Sequence, residues 1–91
     1  MKVIETRELE QLVRETFPEK RQFSAEAELG LAPNRLPAVS FVHGGPDPFL
    51  DRQFDAWLSG SAIFVPLYQV LNRLCRAGAL MPGQYAVTRR A

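Results

Sequence analysis

Cysteine and histidine are nearly missing from this chain, with Cys75 and His43 the single representative of each. A lone thiol cannot close an intramolecular disulfide, so the chain has none of the covalent staples of small secreted domains. One histidine and one cysteine also fall short of the three or four ligands of a zinc site, so no metal and no cofactor are expected. Long apolar runs are missing too, since no stretch reaches the ~18 residues of a membrane span. Met1 to Ile4 lead straight into the charged stretch from Glu5 to Glu10, without the apolar segment of a secretory leader. These absences place the expected protein in the cytoplasm, with no membrane partner. An excess of charge is lacking as well. Eleven Lys and Arg face ten Asp and Glu, a net charge of +1, which argues against bulk electrostatic capture of nucleic acid.

What is present is an ordinary globular composition, 46% hydrophobic and 23% charged over 91 residues, enough for one core and hence a single domain over 1–91. The near-neutral total conceals an asymmetry. Residues 41–60 carry Asp47, Asp51 and Asp55 against Arg52, whereas residues 61–91 carry Arg73, Arg76, Arg89 and Arg90 and no acid.

The periodicities predict an α+β fold. Leu9, Leu12, Val13 and Phe17 share one helical face, with Thr6 as N-cap and Pro18 as terminator. Phe23, Ala25, Ala27, Leu29 and Leu31 alternate with polar residues as in a strand. With turn chemistry at Ala32 to Arg35 and β-formers from Pro37 to Val42, residues 21–43 read as a β-hairpin. His43-Gly44-Gly45-Pro46 breaks that pattern, and Asp47-Pro48 opens a helix carrying Leu50, Phe54, Trp57 and Leu58 to Ser59-Gly60. A further helix presents Phe64, Leu67, Tyr68, Leu71, Leu74 and Cys75 and closes at Gly78, and Pro82-Gly83 suggests a second hairpin over 79–88. The expected order is helix-hairpin-helix-helix-hairpin, three helices on a small antiparallel sheet, with Lys2 to Ile4 available as an extra strand. The expected core comprises Leu12, Phe17, Phe23, Leu29, Val39, Phe41, Phe54, Trp57, Leu67, Leu71 and Leu74.

Few residues suggest chemistry. Phe41-Val42-His43-Gly44-Gly45-Pro46 resembles the oxyanion-hole loop of α/β-hydrolases of the prolyl iminopeptidase type. That family also needs a Gly-x-Ser-x-Gly elbow and a second histidine, and neither exists here. Asp47, Asp51 and Asp55, four apart, line one side of a helix start and suit its macrodipole. Cys75, spaced with Leu71 and Leu74, reads as a small core residue. No catalytic residue is expected, and the chain is read as a non-enzyme.

The remaining constellation is polar. Gln69, Asn72, Arg73 and Arg76 recur at i, i+3, i+4 and i+7, opposite Leu67, Leu71 and Leu74, and are side-chain types that reach base edges. Helix, short turn, helix and Pro-Gly hairpin over residues 47–88 resemble a winged helix-turn-helix. That resemblance implies a recognition helix at 66–77, a wing at 79–88 and DNA binding through the four stripe residues. The other expectation is a regulatory domain that acts through its last helix and basic C-terminus, Gln69, Asn72, Arg73, Arg76, Arg89 and Arg90, docking on a partner protein or on a second copy of itself. In size and composition the chain resembles small regulators and inhibitors encoded by mobile elements.

Overall fold

A computed structural model describes residues 1–31 and 38–88. Within them the chain order is β1 (Lys2–Glu5), α1 (Thr6–Thr16), a 3-10 turn (Pro18–Lys20), α2 (Ala25–Leu29), β2 (Ala38–Val42), α3 (Pro48–Leu58), α4 (Leu67–Arg76) and β3 (Gly83–Thr88). The α+β class is as expected. The described residues form four α-helices and a three-stranded mixed sheet of order β1-β3-β2. β3 lies in the middle, parallel to β1 with Ile4 opposite Val87 and antiparallel to β2 with Ser40 opposite Tyr85.

Three helices begin and end close to where caps and breakers place them. α1 starts at Thr6, one residue after its N-cap Glu5, so Thr6 is the first helical residue and not the cap. Asp47 caps α3, its carboxylate accepting from the Leu50 amide at 3.1 Å, and Pro48 takes the first helical position. Pro66 precedes α4. Its locked φ and missing N–H cost nothing where no intrahelical bond is due.

The hairpin expected over 21–43 is corrected. Its first half is α2, in which Ser24 Oγ accepts from the Ala27 amide and Gly30 closes the helix at φ 65°. Ala, Glu and Leu are strong helix formers, and the strand-like alternation rested on alanines, which contribute little to any apolar face. α1 fixes this segment from outside. Glu10 accepts the Ala25 amide at 2.9 Å, and the Arg14 guanidinium donates twice to the Phe23 carbonyl at 3.0 and 2.7 Å. The turn expected at Ala32 to Arg35 lies outside the described residues.

The second hairpin is corrected as well. Of residues 79–88, Gly83–Thr88 are extended, and this strand pairs with β1 and β2, not with Ala79 to Met81. A central strand has two partners to satisfy and leaves no edge for a local hairpin.

The helices pack on one side of the sheet and meet it in a core that includes Ile4, Leu9, Val13, Val42, Leu71, Leu74, Tyr85 and Val87. An aromatic cluster joins α1 and α3. Phe17 meets Phe54 edge-on at 5.0 Å, Phe23 meets Trp57 edge-on at 5.8 Å, and Phe54 lies 5.5 Å from Trp57. Of the expected core, Phe17, Phe23, Phe54, Trp57, Leu71 and Leu74 are buried, and Leu12, Leu29 and Leu67 pack partly buried against them. Val39 and Phe41 are corrections. They lie on the other side of the sheet, 53% and 66% exposed, while Val42 is fully buried. Adjacent strand residues face opposite ways, so the choice of Val42 as the inward residue turns both neighbours of Ser40 outward. Phe64 precedes α4 and is also exposed.

Candidate functional site

The expected stripe Gln69, Asn72, Arg73 and Arg76 does lie along one side of α4, with Gln69 and Asn72 turned inward, Arg73 half-buried and Arg76 exposed. Gln69 and Asn72 are fully buried, so neither stands at the surface as a contact residue. Asn72 Oδ1 accepts from the Gly44 amide at 2.8 Å and from the His43 amide at 3.4 Å, and its Nδ2 donates to the Gly45 carbonyl at 3.1 Å. Arg76 donates to the same loop, to the Gly44 carbonyl from Nε at 3.1 Å and to the Gly45 carbonyl from an η nitrogen at 2.7 Å. The His-Gly-Gly segment is thus strapped to α4 by two side chains one turn apart.

Asp51 is the second hub. One of its oxygens accepts from Gln69 Nε2 at 2.8 Å and lies 3.0 Å from the Arg76 guanidinium and 3.6 Å from that of Arg73. Its other oxygen accepts from the Asp47 amide at 3.3 Å. Chiefly because of the Arg76 hydrogen bond, with help from the Asp47 amide and Gln69 and against the effect of burial, the Asp51 carboxyl titrates below its ordinary value. Arg73 also pairs with Asp55 at 3.2 Å and stacks over the Phe54 ring at 4.4 Å. The acids of α3, expected to serve the macrodipole, are the counter-ions of α4.

The loop that resembles an oxyanion hole has its donors engaged. The His43 and Gly44 amides point to Asn72, and the Gly45 amide donates to His43 Nδ1 at 2.8 Å. Gly44 sits at φ 79°, and a Cβ there would come within 3.3 Å of the Arg76 backbone and the Cys75 sulfur, so glycine is required for this close approach. Cys75 is half-buried and packs against the core. Among the described residues no group of three His, Cys, Asp or Glu side chains could hold a metal ion. No helix of the described residues is long and apolar enough to cross a membrane. Arg89 and Arg90, expected to contribute to binding, lie outside the described residues.

Two groups of large apolar residues are exposed among the described residues. On the outer side of the sheet Val3 and Val39 flank Ala86 across β1, β3 and β2, with Phe41 beside Gln84 and Met1 at the end of β1. A second exposed group, Phe49, Ile63 and Phe64, walls a cleft between α3 and the segment that leads to α4. The sequence reading missed the first and, of the second, Ile63, although Phe49 and Phe64, with the buried Tyr85, are aromatics it allows at the surface. For the first, the signal was the pair Val39 and Phe41 in a strand whose alternate residue Val42 is equally apolar. For the second, it was Pro66, which starts the helix after Ile63-Phe64 although Phe64 fits the helical period. Comparison with protein-family models, with curated proteins and with solved structures returned no match.

Proposed function

We propose that this chain is a non-enzymatic binding domain that docks on a partner protein, with the outer side of its sheet as the contact surface. The observation that carries the proposal is the exposure of Val3, Val39 and Phe41 on the outer side of the sheet, with Val3 and Val39 on either side of the buried Ala86. Contiguous exposed apolar groups of this kind mark interaction sites, and aromatic residues at their centre contribute disproportionately to binding. The docking surface therefore shifts from the last helix, whose polar stripe is committed to the His43 loop and to α3.

The reading as a winged-helix DNA-binding protein draws less support. Base-edge contacts by Gln69 and Asn72 would require both to leave buried hydrogen bonds, and residues 79–88 supply a central strand where a wing hairpin is implied. Retention of partners from a lysate by the tagged protein, with and without nuclease and over a salt series, separates the two. Docking on protein gives a nuclease-resistant complex with shallow salt dependence. Nucleic-acid binding gives nuclease-sensitive retention that falls steeply with salt.

A further inference from the structure

The cleft beside α3 shares no residue with the sheet surface, and its chemistry is more specific. α3 divides into three sides. Phe54 and Trp57 enter the core, Asp51 and Asp55 meet the arginines of α4, and Phe49, Arg52, Gln53 and Ala56 face the cleft at i, i+3, i+4 and i+7. Ala62, Ile63 and Phe64 form the opposite wall of a volume of about 500 Å³. Alanines at 56 and 62 leave a shallow, open depression between the bulkier walls.

Two features make this more than an exposed apolar patch. The first is rigidity. The Ala56 carbonyl accepts from the Ser61 and Ala62 amides at 2.9 and 3.1 Å, which ties the chain to α3 as far as Ala62, where the far wall begins. The second is charge. Arg52 is the one charged residue lining the cleft, it is exposed, and it has no hydrogen-bond or ion-pair partner among the described residues. The nearby acids Asp51 and Asp55 are engaged by Arg73 and Arg76. An apolar slot with one uncompensated guanidinium at its rim complements an apolar side chain followed closely by a carboxylate.

We infer that this cleft is a second docking site, and that its occupant is an acidic peptide segment of a partner protein, anchored by one aromatic or large aliphatic side chain with an adjoining carboxylate on Arg52. The site does not depend on the sheet surface and stands or falls separately from it.

The test titrates isotopically labelled protein with two acetylated, amidated tetrapeptides, one of sequence Asp-Phe-Leu-Asp and one with both acids replaced by lysine, and follows backbone amide resonances. The acidic peptide is expected to shift the amides of Phe49, Gln53, Ala56, Ala62, Ile63 and Phe64, and to bind about five-fold or more tightly than the lysine peptide. Arg52→Glu should reverse that preference. Ile63→Asp, at a position 94% exposed and so tolerant of change, should abolish both interactions without loss of fold. Equal binding of the two peptides, shifts confined to other residues, or no shifts at millimolar peptide would overturn the inference. Retention of a partner through the sheet surface is read in a separate experiment and is unaffected by any of these outcomes.

Discussion

At the scale of single residues the molecule depends on Asn72 more than its modest side chain suggests. It satisfies two amides and a carbonyl of the loop after β2, and it does so from a fully buried position. Truncation to Ala would leave the two amides without that acceptor, each at a cost of about 1–3 kcal/mol where water cannot reach it, while the Gly45 carbonyl keeps its bond from Arg76. Asn72→Ala is therefore expected to lower stability by about 2–4 kcal/mol in urea denaturation. A loss below about 0.5 kcal/mol would mean that the loop does not need its strap. Asp51 makes a prediction in pH. Its folded pKa is lowered, so the stability it contributes is complete above the unfolded carboxylate range and disappears as pH falls through the folded value. The stability gap between the native protein and Asp51→Asn should be widest near about pH 6 and close towards about pH 2. A gap constant with pH would contradict the role assigned to the Arg76 contact.

At the scale of elements, α2 shows how little hydrophobic alternation decides when alanine supplies half of it. Five residues are too few to be helical alone, and the segment is held by its cap and by α1. Ser24→Ala should cost about 0.5–2 kcal/mol and raise hydrogen exchange at Ala27 and Glu28 before it affects α1. Exchange that rises uniformly along the chain would argue against a separately capped unit. α1, α3 and α4 were legible because strong apolar periods coincide with prolines, an Asp cap and glycines that fix their boundaries, except at the start of α4, where the period runs back to Phe64 and the helix begins at Leu67. The sheet was not, because its central strand is the last in the chain and pairs with the first, a contact over some eighty residues that no local pattern encodes. The same holds for the candidate site. The spacing of Gln69, Asn72, Arg73 and Arg76 located the polar side of α4 correctly. Whether that side met water or the His43 loop depended on where β2 delivered the loop, and this was set by which of Phe41 and Val42 turned inward. One residue of strand phase thus decided both the exposure of the sheet and the burial of the stripe.

At the scale of the whole molecule, β1 and β3 join the two ends of the described chain in a parallel pair that closes the sheet. Ile4 is the residue of β1 that enters the core, 3% exposed, and Ile4→Ala should cost about 2–5 kcal/mol by cavity formation. The helices cover one side of this sheet and leave Val3, Val39 and Phe41 exposed on the other, beside Gln84 and Thr88, an exposure that stabilises nothing in an isolated domain. Val39 and Phe41 are its most telling members, since their exposure makes them dispensable for folding and available for contact. The direct measurement is retention of the nuclease-resistant partner by the double variant Val39→Asp with Phe41→Asp, alongside its denaturation midpoint. Docking through the sheet requires retention to be lost while stability stays within about 1 kcal/mol of the native protein. Undiminished retention by a folded double variant would contradict it and place the contact elsewhere on the molecule.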